Sequence, residues 1–226
     1  MRCGFLLCRR GGPAYDFHNM MAGNSPKPVI GLVGGVGAGK STVARELEVL
    51  GCALVDGDKI GHMLLDEPEV RQALLDRWGQ RVFAPDGRVD RKAVAAVVFG
   101  SPGELTALNA MMHPRIRRRM EELIVSALAR ADVPAVVMDA AVLLEAGWDD
   151  LCTHLVFVQA PDETRQHRVE QARGWGAQEW QSREKSQIPV DTKRADCYYA
   201  LDNSSGVSHL REQIRSLFHQ IVHSER

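Results

Sequence analysis

Short apolar runs alternate with amphipathic stretches along most of the chain. The first run, residues 29–33, reads Val-Ile-Gly-Leu-Val and leads through a glycine-rich loop into an amphipathic segment from Ser41 to Leu47. This order predicts a buried strand, a loop and a helix. Similar apolar runs occupy residues 52–55, 135–138 and 155–158, and a weaker one occupies 198–201. Strands that alternate with helices favour a parallel sheet covered on both faces, so the predicted fold class is doubly wound α/β.

Two long stretches interrupt this alternation. Residues 59–130 are mostly helical and fall between the second and third predicted strands, whereas residues 163–194 are unusually charged. The first predicts a substrate-binding insertion and the second a lid. Residues 1–28 mix Gly, Pro, Arg and Asn without periodicity, which predicts a flexible extension before one domain at 29–226. The core of this domain would comprise residues 29–58, 131–162 and 195–226.

Composition narrows the class of protein only slightly. The 226 residues suffice for one α/β domain with insertions, and the net charge of -1 gives no reason to expect nucleic acid as the main partner. The five cysteines are scattered without a CxxC pair, which favours reduced thiols in a cytoplasmic protein over a zinc site. No apolar run approaches the roughly 20 residues that cross a bilayer, so we expect no membrane association.

The glycine-rich loop after the first strand carries the strongest chemical signal. Residues 34–41 fit G-x-x-x-x-G-K-[ST] at every fixed position, in the strand-loop-helix setting that the motif requires. Glycines let backbone N–H groups face phosphate, Lys40 adds positive charge, and the Ser41 hydroxyl is placed to coordinate Mg²⁺. The predicted nucleotide-binding residues are Gly35, Val36, Gly37, Ala38, Gly39, Lys40, Ser41 and Thr42. A glycine-rich turn without a ligand is the alternative.

Acidic residues follow the second and third predicted strands. Asp56 and Asp58 come directly after the second strand, and Asp139 ends the third, with Glu145 a few residues later. Ligands of open parallel sheets bind beyond the carboxyl ends of the strands, so these side chains are placed to act. Two apart in an extended segment, Asp56 and Asp58 would face the phosphate loop together, one taking a proton from an attacking hydroxyl and one orienting Mg²⁺. Alternatively, either caps the following helix, and Asp139 is structural.

Seven basic residues are concentrated in the charged stretch. They are Arg165, Arg168, Arg173, Arg183, Lys185, Lys193 and Arg194. An arginine that arrives over the terminal phosphate neutralises transition-state charge and excludes water, so this composition predicts a mobile arm with a flexible break at Gly174 and Gly176. A solvated helix with scattered arginines is the alternative.

The helical insertion contains a second motif, Leu-Asn-Ala-Met-Met-His-Pro at residues 108–114. The pattern predicts that one helix ends near His113 and that Pro114 begins the next. His113 has no identifiable partner carboxylate, so a binding role is favoured over general-base catalysis. A simple turn residue is the alternative.

These motifs resemble the dephospho-CoA kinase family over residues 29 to about 222. The resemblance rests on the GGxGxGKS loop, the D-x-D at Asp56 and Asp58, the LNAxxHPxI segment at 108–116, the D-x-x-x-LLE-type segment at 139–145, the spaced Arg183, Gln187 and Pro189, and the late Asp-Asn pair at 202–203. The position of the family's Ala-Asp pair before the last strand falls here on Cys197 and Tyr198, while an Ala-Asp pair occurs two residues earlier at 195–196, which leaves the role of Asp196 open.

The resemblance implies a five-stranded P-loop kinase core with a helical CoA-binding insertion and a lid. It also implies ATP and Mg²⁺ as cofactors and dephospho-CoA as a small-molecule partner, phosphorylated on the ribose 3′-hydroxyl. Asp58 would be the base, Lys40 and a lid arginine such as Arg168 would grip the phosphoryl group, and Asn203 would lie near adenine. The substrate-binding residues would be Asp56, Asp58, His113, Glu145 and Arg183.

Two other functions share parts of this pattern. A nucleoside or nucleoside monophosphate kinase would share the core, the lid and the D-x-D. A GTP-binding switch would share only the loop, and the chain contains no N-K-x-D guanine-reading motif. The oligomeric state stays open between a monomer and a small homo-oligomer.

Overall fold

The central element is a five-stranded sheet, described by a computed structural model that covers residues 27–223 apart from the side chains of Phe99 and His223. The strands are β1 (Val29–Val33), β2 (Ala53–Asp56), β3 (Val136–Asp139), β4 (His154–Gln159) and β5 (Tyr199–Asp202). All pairings are parallel, in the order β2-β3-β1-β4-β5. The predicted five-stranded parallel sheet is therefore confirmed, while almost all of the predicted extension at 1–28 lies outside the described residues.

α-Helices follow β1, β2, β4 and β5 and cover both faces of the sheet, whereas turns and a short 3-10 helix at Asp149–Leu151 connect β3 to β4. Within residues 27–223 the α-helices are α1 (Lys40–Val49), α2 (Gly57–Leu64), α3 (Pro68–Trp78), α4 (Arg91–Phe99), α5 (Pro102–Leu128), α6 (Asp162–Arg173), α7 (Ala177–Lys185), α8 (Val190–Ala195) and α9 (Val207–His223). Strand β1 shows the two layers, because Val29 and Val33 belong to one buried cluster and Ile30 and Leu32 to the other. None of the helices in this part of the chain is long and apolar enough to span a bilayer.

The predicted helical insertion is dominated by α5, which runs for 27 residues with Pro114 inside it. The prediction that Pro114 begins a new helix is wrong. An internal proline costs roughly 3 kcal/mol, but each fully buried apolar side chain contributes about 1.5–3 kcal/mol. Four buried residues spaced four apart lie on the face of α5, namely Met112, Ile116, Met120 and Ile124. Burial of this continuous stripe outweighs the backbone hydrogen bond that Pro114 removes.

Candidate active site

The strand order brings the phosphate loop and the acidic residues to one edge of the sheet. β3 lies between β1 and β2, and the register aligns Leu32 with Asp139 and Asp139 with Asp56. Just beyond these strands, the Asp58 Oδ1 atom accepts a 3.4 Å hydrogen bond from the Ala141 N–H. The structure thus confirms that Asp58 and the loop that follows β1 share the carboxyl edge of the sheet.

The phosphate loop has the conformation that its glycines permit. Gly37 and Gly39 have φ angles of 82° and 96°, in the left-handed region. A Cβ atom on Gly39 would lie 2.2 Å from the Asn203 Nδ2 atom, and one on Gly37 would lie 2.4 Å from the Arg165 carbonyl oxygen. Helix α1 begins at Lys40 with no side-chain cap at its N-terminus. Its first backbone N–H groups are therefore suited to phosphate oxygens.

Lys40 reaches back across the loop. Its Nζ atom donates to the carbonyl oxygens of Gly34 and Gly35 at 2.9 and 3.3 Å. Burial lowers the pKa of Lys40, the charge of Asp139 raises it, the charge of Lys193 lowers it and that of Asp58 raises it. A buried ammonium group that has lost water is stabilised by an arriving anion, so this position favours a phosphate.

Asp139 joins the loop from the end of β3. Its side chain is 9% exposed and hydrogen-bonds to the Ser41 hydroxyl. Burial raises the pKa of Asp139, while the Ser41 hydrogen bond and the Lys40 charge lower it. The hard oxygen atoms of Ser41 and Asp139 suit Mg²⁺. No cluster of three or more His, Cys, Asp or Glu that could hold a metal is found in residues 27–223, so Mg²⁺ here would also need nucleotide phosphate oxygens.

The two aspartates after β2 lie in different environments. Asp56 accepts a 2.9 Å hydrogen bond from the Lys59 N–H and caps α2, which is the alternative role considered for it. Asp58 lies in the first turn of α2, so the prediction that both project from one extended segment is wrong. The chain turns helical at Gly57, where a Cβ atom would lie 2.9 Å from the Ala140 Cβ atom. Asp58 remains exposed at the site.

The predicted lid segment, residues 163–194, contacts the tip of the phosphate loop at one peptide group, that of Val36. The Val36 N–H donates to the Glu184 Oε2 atom at 3.0 Å. The Val36 carbonyl accepts from the Arg165 Nη1 atom at 3.2 Å and from the Trp180 Nε1 atom at 3.3 Å. Arg165 is buried and also forms a 2.6 Å ion pair with Glu184. Helices α6 and α7 therefore fix the loop tip from both sides.

We expect Glu184→Ala to lower the free energy of unfolding by about 1–3 kcal/mol, because it removes one carboxylate partner of buried Arg165 and leaves the Val36 N–H without its acceptor. Glu179→Ala, on the same helix, removes the partly exposed ion pair with Arg183 and should cost about 0–1 kcal/mol. Urea unfolding of both variants measures the difference. Equal losses would contradict a specific contact between the lid and the loop.

Two other predicted residues meet behind the loop. The Asn203 side chain is buried and donates to the Ala38 carbonyl at 2.8 Å. Arg168 donates to the Asn203 carbonyl at 2.9 Å and, at 3.5 Å, to the same Ala38 carbonyl. Arg168 and Asn203 thus support the loop at Ala38, whereas Arg165 contacts the tip at Val36. A catalytic contact of Arg168 with phosphate stays a prediction.

The remaining lid residue of interest, Arg183, packs on an aromatic ring. Its guanidinium lies 4.0 Å from the ring centroid of Trp175, and Arg173 lies 4.8 Å from the same centroid. Arg183 also pairs with Glu179 at 3.2 Å. These contacts place Trp175 between two cations at the break between α6 and α7, and substrate binding by Arg183 stays a prediction.

Comparison with known proteins decides among the kinases that share such a loop. The family model for dephospho-CoA kinase matches residues 28–209. The chain belongs to the dephospho-CoA kinase family. A dephospho-CoA kinase of Corynebacterium jeikeium is 37% identical over 185 residues, which is 82% of this chain and 95% of the relative. Another, of Geobacter metallireducens, is 34% identical over 195 residues, or 86% of this chain and 96% of the relative.

Solved structures agree with the dephospho-CoA kinase fold. A crystal structure from Thermus thermophilus is 31% identical with a TM-score of 0.71, and the match covers 85% of this chain and 97% of that one. The dephospho-CoA kinase from Campylobacter jejuni, 21% identical, has a TM-score of 0.65 over 88% of this chain and 98% of its own. At 21% identity, the Campylobacter jejuni structure supports the fold alone.

His113 of this dephospho-CoA kinase lies within α5 and packs against Trp148. The two ring centroids are 5.2 Å apart with an interplanar angle of 65°. Burial lowers the pKa of His113, so the folded protein favours the neutral imidazole. Its contribution to stability is complete above the unfolded pKa of about 6.5 and is lost as the pH falls below it.

We therefore expect His113→Gln to lose less stability than the wild type between about pH 7 and about pH 5. His62→Gln, which changes an exposed histidine of α2, is the matched control and should keep the wild-type dependence. Thermal unfolding at the two pH values measures this. If His113→Gln lost as much stability on acidification as the wild type does, the His113 ring would contribute nothing to the acid sensitivity of the fold.

Sequence reasoning missed three members of the dephospho-CoA kinase site. Glu184 and Trp180 gave no signal, because one acidic and one aromatic residue in a charged stretch fit a solvated helix equally well. Lys193 was counted among the lid cations, yet it is buried and forms a 2.7 Å ion pair with Glu145. Glu145 also accepts a 3.0 Å hydrogen bond from the Ile188 N–H. Glu145 is therefore an anchor of the lid in this structure, and its contact with substrate stays a prediction.

Proposed function

We propose that this dephospho-CoA kinase transfers the γ-phosphoryl group of ATP to the ribose 3′-hydroxyl of dephospho-CoA, with Mg²⁺, giving CoA and ADP. The observation that carries the proposal is the shared edge of Asp58, Asp139 and the phosphate loop. An acidic side chain beside a phosphate cradle suits transfer to an alcohol, because phosphoryl transfer depends mainly on positioning and charge neutralisation.

In this mechanism the loop N–H groups and Lys40 bind the β- and γ-phosphates. The 3′-oxygen forms a bond to the γ-phosphorus, the bond from that phosphorus to the β,γ-bridging oxygen breaks, and ADP leaves. Asp58 accepts the proton of the 3′-hydroxyl as the oxygen attacks. Ser41 and Asp139 would hold Mg²⁺, which supplies further charge neutralisation on the phosphates.

The acceptor would lie between the helical insertion at 59–130, which includes His113, and the lid at 163–194. Asp56, Glu145 and Arg183 are proposed to line or support this acceptor site, and Arg168 and Asn203 the nucleotide side. The buried thiols fit a cytoplasmic enzyme: burial raises the pKa of Cys52 to about 12, and burial and Asp196 raise that of Cys197 to about 11. We propose a monomer or a small homo-oligomer.

The acceptor is tested by comparing dephospho-CoA with nucleosides and nucleoside monophosphates, with ATP and then GTP as donor. We expect dephospho-CoA to be preferred in kcat/KM by at least about 100-fold, because the other acceptors lack most of its binding groups. A preference for a nucleoside or nucleoside monophosphate would assign another kinase activity. Tight GTP binding without transfer would favour a switch.

A further inference from the structure

A second lysine lies at the site in an unusual setting. Lys193, on α8, has a side chain that is 3% exposed. Its Nζ atom contacts the Glu145 Oε1 atom at 2.7 Å and the Gln187 Oε1 atom at 2.8 Å. An ammonium group has three N–H donors, so one has no protein acceptor among residues 27–223. A buried donor of this kind is costly unless a ligand or water accepts from it.

The ion pair of Lys193 faces the phosphate loop. A cavity of about 10 Å³ is lined by both lysines, Lys40 and Lys193, together with Gly34, Ala140, Ala141 and Glu145. It therefore lies between the start of the loop and the residues that follow β3. The positive charge of Lys193 also lowers the pKa of Lys40. The two lysines outnumber the one carboxylate, Glu145, among the lining residues, so the lining carries net positive charge and favours an anion.

The partner of Lys193 is also incompletely satisfied. The Glu145 Oε1 atom accepts from both Lys193 and the Ile188 N–H, whereas the Glu145 Oε2 atom is buried with no hydrogen-bond partner in the described part of the chain. An ion pair that served only to stabilise the fold would be expected to use both carboxylate oxygens. The spare Lys193 N–H at this cavity is the group that an oxygen atom of an anionic ligand would satisfy.

We propose that Lys193 is a second phosphoryl-binding residue, which donates its third N–H to an equatorial oxygen of the phosphoryl group during transfer. Lys40 binds the same group from the loop, and Glu145 and Gln187 are positioning residues that hold the Lys193 ammonium at the cavity. Because α8 forms the end of the lid segment 163–194, the position of that segment then sets the position of this cation. The inference rests on the proposed function, since it names a further residue for the same transfer.

The test compares Lys193→Met with Arg194→Met. Arg194 is the adjacent cation on α8, and it contacts the Cys197 carbonyl and the Phe157 ring instead of the cavity. We expect Lys193→Met to lower kcat about 100- to 1000-fold, as removal of one transition-state donor does. The affinity for ADP should change less than about threefold, and the tighter ADP binding produced by aluminium fluoride with dephospho-CoA should be lost. Arg194→Met should keep both.

A double variant, Glu145→Gln with Lys193→Met, keeps the cluster neutral if the single change prevents folding, and the same losses are expected from it. Wild-type kcat in the Lys193 variants, or a parallel loss of ADP affinity and kcat, would overturn the inference and leave a purely structural ion pair. The variants are compared with a wild-type enzyme that phosphorylates dephospho-CoA. Absence of transfer to dephospho-CoA by the wild type would instead overturn the proposed function.

Discussion

Lys40→Met is expected to lower the rate of phosphoryl transfer by at least about 1000-fold while the protein stays folded. Removal of this ammonium leaves the β- and γ-phosphates without their main positive partner on the loop. Burial lowers the pKa of Lys40, which means that the charged form of this side chain is destabilised in the folded state. A neutral side chain of similar length should therefore be tolerated, with a melting temperature equal to or above that of the wild type.

The matched control for this variant is Lys59→Met. Lys59 is also a cation near the site, but its side chain is 75% exposed and pairs with the capping Asp56 at 3.4 Å. Steady-state kinetics of both variants measure the loss of rate, and thermal unfolding shows whether each variant stays folded. If Lys40→Met turned over at more than about a tenth of the wild-type rate, the loop would not be binding the transferred phosphate as proposed.

Asp58→Asn is expected to reduce kcat by about 100- to 1000-fold and to leave ATP affinity nearly unchanged. The change removes the proposed proton acceptor at the sheet edge, yet the amide retains an oxygen that can accept a hydrogen bond from the Ala141 N–H. The loop and Lys40, which are proposed to bind ATP, are untouched. Separate measurements of turnover and of ATP affinity distinguish a loss of catalysis from a loss of nucleotide binding.

Asp56→Asn separates the chemical role of Asp58 from the structural role of its neighbour. Asparagine is as good a cap as aspartate, so α2 should form normally and turnover should stay within about threefold of the wild type. Unchanged turnover in Asp58→Asn would remove Asp58 from the role of base. A larger loss in Asp56→Asn than in Asp58→Asn would transfer that role to Asp56.

The strands and the phosphate loop could be predicted because the information for them is local. β1 and β3 are buried throughout, whereas β2 and β5 are partly exposed. The five predicted apolar runs differ from the observed strands by about one residue at either end. The loop is one uninterrupted motif whose glycines dictate its turns. The shared edge of Asp58 and Lys40 then follows from parallel pairing.

The errors occurred where tertiary contacts override local preference. Pro114 is a reasonable start of a helix in isolation, and only the buried stripe on α5 keeps the helix continuous through it. The pattern predicts that Asp56 and Asp58 lie in one extended segment, but Asp56 caps α2, which begins at Gly57 between them. In both cases the deciding partner lies outside the window that the pattern covers.

The contacts of the lid could not be predicted from any local pattern. Glu184 meets Val36 across 148 positions of the chain, and Lys193 meets Glu145 across a lid whose packing no periodicity specifies. Charged residues in a polar stretch give the same signal whether they are solvated or buried in ion pairs. The burial of Arg165 and Lys193 becomes evident only from the fold.

The central claim is that the terminal phosphate of ATP moves to the 3′-oxygen of dephospho-CoA at the edge shared by Asp58 and Lys40. The most direct test is phosphorus NMR of the products formed from ATP and dephospho-CoA, with the 3′-deoxy acceptor in parallel. We expect ADP and one new phosphomonoester coupled to the ribose 3′-position, and no transfer to the 3′-deoxy compound. Inorganic phosphate as the sole product, or a phosphate on any other oxygen, would contradict the central claim.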